Sequence, residues 1–216
     1  MHVVSVNVGQ PREVVWHGKT VQTSIFKSPV EGRSAVRACQ VEGDRQSDTI
    51  NHGGRYQSIY VYSVEHYRYW RPMLAGVDLH WGHFGENFTI EGLPDSEVHI
   101  GDRFRIGTAE VVVTRPRNPC YKLGIRFERE DMTKLFLQSG RLGYYFGIEQ
   151  EGEVAAGDRV ELLERASQNM TVAEVSHLFY DASDLAAVQR ASETSALAPS
   201  VREYFQRKLE KRTVNN

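Results

Sequence analysis

Over its first 165 positions the chain runs mostly in short stretches rich in β-branched and aromatic residues. The segments "HVVSVNVG" (2–9), "QSIYVYS" (57–63), "AEVVVTRP" (109–116), "YYFGIEQ" (144–150) and "DRVELLE" (158–164) are bounded by turn residues and predict strands. A Gly-Asp-Arg triplet recurs at 43–45, 101–103 and 157–159, the last two just ahead of the strand patterns "FRIG" and "VELLE". Each triplet predicts a tight turn, with Gly supplying positive φ and Asp bonding nearby backbone. Two stretches have helical spacing instead. "SVEHYRYWRPML" (63–74) places Tyr67, Trp70, Met73 and Leu74 on one face behind a Ser63 N-cap. "DMTKLFLQSG" (131–140) predicts a short helix between Asp131 and Gly140.

After Arg165 the period changes. Thr171 and Glu174 form a capping box, with Met170 and Val175 placed as a hydrophobic staple. Ser183 is the expected cap of "SDLAAVQRASE". Ser200 and Glu203 form a second capping box ahead of an apolar face of Val201, Tyr204, Phe205 and Leu209. The expected organisation is a β-rich unit over 1–165 followed by three short helices over 168–212.

Composition narrows the class. A chain of 216 residues, 40% hydrophobic and 25% charged, is an ordinary globular composition. At that length about 70% of the unfolded surface is buried, so the core needs no disulfide or metal. A formal net charge of -2 argues against a nucleic-acid partner bound by broad phosphate neutralisation. Two distant cysteines, Cys39 and Cys120, make no disulfide framework. The first residues lack a basic region followed by an apolar core, and no apolar run approaches the ~20 residues of a membrane helix. The expected location is cytoplasmic, with no membrane partner.

Candidate chemistry centres on "TRPRNPCYKL" (114–123). Proline ends the preceding strand, which leaves Cys120 on a stiff loop among Arg115, Arg117 and Lys122. Cations favour the thiolate, a nucleophile or metal ligand; equally, free cysteine is among the most buried residue types. Spacing alone leaves both readings open. Cys39, without flanking prolines, reads as core. In "GDRQSDTINHGGRYQSIYVYS", Arg45, Gln46, Asp48, His52 and Gln57 surround Gly53-Gly54, whose backbone N–H groups suit an anion; a polar hairpin loop is the alternative. In "WGHFGENFTIEGL", Gly85, Glu86 and Asn87 offer donors and acceptors to a heteroaromatic ring, or form a turn that satisfies its own backbone. "KSPVEGRSAVRA" adds Lys27, Arg33 and Arg37, with a solvated face as the commoner explanation for Arg33. His80 and His83 form an HxxH but lack the spacing of a structural zinc site, and P-loop, GxGxxG and GxSxG motifs are absent.

Together "GDRQSDTINHGGRYQSIYVYSVEHYRYW", "HFGENFTIEGL", "VHIGDRFRIGTAEVVVTRPRNPCYKL" and "SGRLGYYFGIEQEGEVAAGDRV" resemble the MOSC family, named for the C-terminal domain of molybdenum cofactor sulfurases. Their order fits its stand-alone, YiiM-like branch, and the helical tail resembles the three-helix domain of that branch. Ser58 departs from the alanine or valine commoner in relatives. The resemblance implies a mainly β fold with α: a MOSC-type β-barrel over 1–165 and a three-helix domain over 168–212. It implies Cys120 as ligand to the molybdenum of a pyranopterin cofactor. Candidate contacts to that cofactor are Arg33, Arg45, Asp48, His52, Gly53, Gly54, Gln57, Gly85, Glu86, Asn87, Arg117, Asn118 and Lys122. The sulfurases' pyridoxal phosphate domain has no room here.

The implied activity is reduction of small N-hydroxylated compounds, such as hydroxylaminopurines. A separate reductase would donate the electrons, since no flavin or nicotinamide motif is present. A non-catalytic carrier of the cofactor or its sulfur is the alternative, and a barrel with an inert Cys120 a third. The tail is open to covering the barrel, docking the donor or forming a homodimer.

Overall fold

The computed structural model describes residues 1–37, 39–47 and 53–214. The chain begins with β1 (His2–Val8), β2 (Arg12–Trp16), β3 (Lys19–Thr23), β4 (Ser28–Pro29), β5 (Arg33–Arg37) and β6 (Gln40–Val41). Then follow β7 (Ile59–Ser63), α1 (Val64–Met73), β8 (Phe88–Glu91), β9 (Arg103–Ile106), β10 (Ala109–Pro116), α2 (Lys122–Phe127) and α3 (Met132–Ser139). The body ends with β11 (Tyr144–Gln150), β12 (Gly152–Ala155) and β13 (Val160–Glu164), and the tail is α4 (Val172–Tyr180), α5 (Leu185–Glu193) and α6 (Pro199–Val214). No helix among the described residues is long and apolar enough to cross a membrane.

Eight strands pair in the order β13-β9-β10-β11-β7-β8-β1-β4. All pairs are antiparallel except β7 with β8. That parallel step needs a crossover, and α1 supplies part of it. The sheet closes on itself through β1. Val3 N–H donates to Asp158 O at 2.9 Å, Gly157 N–H to Val3 O at 2.7 Å and Val160 N–H to Met1 O at 3.1 Å. These bonds join β1 to the chain entering β13 and make the expected barrel. Inward positions are Val3, Val6, Ile59, Val61, Phe88, Ile90, Phe104, Val111, Val113, Tyr144 and Phe146, all at most 1% exposed. Alternation along β10 buries Val111 and Val113 while Val112 is half-buried. All three Gly-Asp-Arg glycines adopt positive φ, from 83° to 94°, as the turns require.

The tail is not an independent bundle. Val172, Val175, Leu178, Val188, Leu197, Val201 and Phe205 join the barrel residues in one apolar cluster. The Thr171–Glu174 capping box forms in full, and Met170 and Val175 are both buried. Two expected caps are corrected. Asp184, not Ser183, caps α5 by accepting from Ala187 N–H. Ser200 lies inside α6, which starts at Pro199, because proline at the first helical position has no N–H to satisfy. On α1 the expected face holds for Tyr67, Trp70 and Leu74, whereas Met73 is 51% exposed. The helix α2, directly after Cys120, and the β2–β3 hairpin were not expected from the pattern.

All three tryptophans, Trp16, Trp70 and Trp81, lie in the β-rich body. Phe205→Ala in α6 should cost about 3–5 kcal/mol and lower the denaturation midpoint read by tryptophan fluorescence in one transition. A body signal that does not shift would show the tail to be energetically separate.

Candidate functional site

A cleft opens at one end of the barrel. Pairing of Pro116 with Tyr144, of Val61 with Tyr144 and of Val61 with Phe88 puts the end of β10 beside the starts of β11 and β8, with the middle of β7 between them. Loops leaving a barrel at one end are the usual place for chemistry on a rigid scaffold. The walls come from five segments: Thr23 to Lys27, Asp44 to Ser47, Gly53 to Gln57, Gly85 to Asn87 and Arg117 to Lys122, with Tyr60 and Tyr145 from the strands.

Cys120 is half-buried on this wall. Its loop is fixed by its own carbonyl, which accepts from Leu123 N–H at 3.0 Å and Thr133 Oγ1 at 3.3 Å. A register shift between Val113 and Arg115 leaves Thr114 Oγ1 within hydrogen-bonding distance of two carbonyls, Tyr56 O at 2.8 Å and Tyr145 O at 3.0 Å, which share its one proton. That bulge turns consecutive side chains apart. Arg115 reaches Ser200 on α6 at 3.4 Å, away from the cleft.

Arg117 goes the other way. It is 6% exposed, donates from Nη1 to Phe84 O at 2.6 Å, and lies over the rings of Tyr60 and Phe136 at 4.5 and 5.4 Å. Burial opposes its charge, but Tyr60, Tyr145 and the Cys120 sulfur outweigh burial and hold the guanidinium above the usual arginine range. Cys120 therefore faces a permanent cation.

Another part of the wall is a buried polar network. Both Asp44 carboxylate oxygens accept from Lys27 Nζ at 2.5 Å. Oδ1 also accepts from Gly9 N–H at 2.8 Å and Oδ2 from Asn87 Nδ2 at 2.9 Å. Asn87 Oδ1 accepts from Tyr60 N–H at 3.1 Å. Behind it, Glu86 is fully buried. It accepts from Gly82 N–H at 2.7 Å, Phe84 N–H at 3.1 Å, Thr89 Oγ1 at 2.9 Å and Tyr67 Oη at 2.5 Å. Burial pushes its carboxyl up, against those hydrogen bonds. Gly85 needs φ of 84°, and a Cβ there would sit 2.9 Å from Ile25 Cγ1, so this loop admits only glycine without movement. On its far side Arg126 donates to His80 Nε2 at 2.6 Å and His83 Nδ1 at 3.1 Å. The expected HxxH pair is thus an arginine clamp.

Residues 48–161 match the MOSC domain and residues 170–212 the YiiM-like, 3-alpha helix domain. The chain belongs to the MOSC family. It is 37% identical to the uncharacterized protein YflK of Bacillus subtilis over 97% of this chain and 95% of that one. Its fold matches the crystal structure of YiiM from Geobacillus stearothermophilus with a TM-score of 0.80 at 34% identity, covering 96% and 98% of the two chains. A Gibberella moniliformis protein named a reductase is 30% identical over 74% of this chain, which spans only 29% of that protein.

In this MOSC chain the cleft brings together Gly53, Gln57, Gly85, Asn87, Arg117, Asn118, Cys120 and Lys122 of the expected residues. Arg33 is elsewhere, on β5, paired with Asp158 at 2.8 Å and near Glu153. Arg45 is exposed on the outer side of its turn, because Asp44 takes the inward position. Gly54 is exposed and caps a turn through its carbonyl, which accepts from Gln57 N–H. Glu86 is a loop anchor and does not line the cleft, and Asn87 spends its amide on Asp44, Asn7 O and Tyr60 N–H. Asp48 and His52 lie outside the described residues. Sequence reasoning named Lys27 without assigning it a role and treated Asp44 as a turn residue. Ser24, which lines the cleft with a buried Oγ lacking any partner among the described residues, was also missed.

Burial, Arg126 and His80 pull the His83 imidazole down to about 3, so it stays neutral when folded. The unfolded chain binds a proton near pH 6.5, so stability from this group is lost as pH falls from 6.5 toward 3. At about 1.4 kcal/mol per unit this is about 2 kcal/mol by pH 5. Urea titrations at pH 7 and pH 5 should show His83→Asn losing about that much less stability than the parent protein.

Proposed function

We propose that this MOSC chain binds a molybdenum pyranopterin cofactor in the cleft and reduces N-hydroxylated compounds to amines. The observation that carries the reading is the convergence of one thiol with three cations, Lys27, Arg117 and Lys122, in a single cleft. A thiolate suits a thiophilic metal, and cations suit the phosphate of the cofactor.

The residues fit such a group. Ser24 Oγ is a buried hydroxyl without a partner among the described residues and faces the cleft wall. Buried polar groups are nearly always satisfied, so a polar ligand there removes a cost. Among the described residues Lys122 donates only to Ser47 Oγ, at 3.2 Å, and Asn118 is exposed, which leaves both with donors to spare. Arg117 is already committed to Phe84 O, so it would act on a ligand chiefly through its charge. Cys120 would ligate the metal. When bound, the group would supply the two-electron chemistry of N–O reduction.

The protein's own task is to hold that group, exclude water and keep the Arg117 cation beside the thiol. The fungal relative named a reductase, much longer than this chain, supports a redox role.

The test is Cys120→Ala against the parent protein, both purified from a cofactor-producing host. Elemental molybdenum should fall, and reduction of an N-hydroxylated purine with an artificial electron donor should drop by at least about 100-fold. Full activity without the thiol would refute the assignment. Cofactor bound by the parent protein with no turnover would make it a carrier.

A further inference from the structure

Contacts between the helical tail and the barrel converge on the segment that leads to Cys120. We propose that the tail holds the Arg117–Cys120 loop in position, with Asp95 as the positioning residue that connects the two.

Asp95 lies in the loop between β8 and β9 and is 2% exposed. Three separate elements meet on it. Its Oδ1 bonds His66 Nε2 of α1 at 2.8 Å. Its Oδ2 accepts from Gly143 N–H, just ahead of β11, at 2.9 Å. Its backbone carbonyl accepts from Ala173 N–H, in the first turn of α4, at 3.0 Å. Gly143 passes the constraint on, because its own carbonyl accepts from Arg117 N–H at 3.0 Å. The strip from Arg141 to Gly143 is held along its length. Tyr62 Oη donates to Arg141 O at 3.0 Å and Tyr60 Oη to Leu142 O at 2.8 Å. The ring of Tyr60 also lies against the Arg117 guanidinium, at 4.5 Å. The backbone of Arg117 is therefore registered against a strip of chain whose last N–H ends on Asp95.

A second set of contacts reaches the same segment from α6. The bulge skips Thr114 in the β10–β11 register, and the Thr114 carbonyl accepts from Ala198 N–H at 3.0 Å. Next to it, Arg115 reaches Ser200 Oγ. The tail thus bonds residues 114 and 115 directly, and acts on 117 through Asp95 and Gly143. Thr114 and Asp95 are both buried. Buried carbonyls are nearly always paired, so both would lose a required donor without the tail. The Cys120 sulfur acts on the Arg117 guanidinium, so a shift of Arg117 changes the surroundings of the thiol.

The test uses the cofactor-free full chain, so its outcome does not depend on what the cleft binds. NMR reads hydrogen exchange at single amides and the side-chain resonances of Arg117. Asp95→Asn keeps the carbonyl that α4 uses, but its side chain has one acceptor oxygen where the carboxylate has two. Ala173→Pro removes the donor on the tail side, in a first helical turn where proline is tolerated and the N–H has no partner within the helix. Each should speed exchange of the Arg117 amide about 3- to 10-fold beyond any change in the β9–β10 ladder, the worth of one hydrogen bond. The Arg117 side-chain signals, displaced by the Tyr60 ring in the parent, should move toward ordinary arginine positions. If the proline variant does not fold, Val175→Ala, which loosens the packing of α4, should act in the same sense. Ile106→Ala is the control. Ile106 is buried in the core and pairs with Ala109 at the start of β10, the end away from the cleft. Its loss should lower stability and leave the Arg117 signals in place.

Parent-like Arg117 exchange and signals in Asp95→Asn would overturn the role of Asp95. The same result in the tail variants would overturn the part given to the tail. An equal change in Ile106→Ala would reduce the effect to general loosening and overturn both.

Discussion

Asp44 is the point on which the cleft depends. Its carboxylate takes bonds from Gly9 at the end of β1, from Lys27 after the β2–β3 hairpin and from Asn87 before β8. It thereby ties three separate chain segments to its own turn. A buried ion pair contributes little net stability against an apolar substitute, but removing one partner leaves an uncompensated charge and costs about 3–5 kcal/mol. What the pair secures is geometry. Each oxygen has a charged donor and a neutral one, so the segments cannot slide without leaving a buried acceptor unmet. Lys27 is held on the wall by the same bonds that close the wall.

Glu86 has the matching role in the layer behind. Four donors from Gly82, Phe84, Thr89 and Tyr67 converge on it, which fixes the loop whose Phe84 carbonyl receives Arg117. The cation beside Cys120 is thus positioned through a backbone carbonyl, itself set by a buried carboxylate. This is a supported site in the physical sense: its charged groups are fixed by partners that are themselves satisfied.

The strands and most helices were legible because they rest on local period. The alternation of β10, the cap of Ser63 on α1 and the full capping box of Thr171 all act within a few residues. The shared motif order pointed to Cys120, Arg117 and Lys122. What sequence could not give was the destination of short polar side chains. Gly-Asp-Arg at 101–103 and at 157–159 behaves as a turn should: Asp102 takes His99 N–H and Asp158 takes Ala155 N–H. The same triplet at 43–45 sends Asp44 to Gly9, Lys27 and Asn87 instead, because the barrel's end brings them there. The alternatives for Glu86 differed only in which way the carboxylate turned, and tertiary packing turned it inward. The helix α2 escaped notice because Gly124 interrupts a run of only six residues, too short for periodicity to register.

The net charge of -2 hides a separation that matters for binding. Carboxylates cluster away from the cleft on β10, β11 and β13, where Glu110, Glu149 and Glu164 pair with Arg103 of β9. The cleft keeps Lys27, Arg117 and Lys122 against Asp44, an excess of positive charge behind low-dielectric walls that focuses its field on anions. Among the described residues Arg117 is buried without a carboxylate partner, a cost met during folding through ring faces and one carbonyl. An anionic ligand or a thiolate arriving later finds that charge already desolvated and aimed. Most of the reorganisation that binding would otherwise require has been completed before the ligand enters.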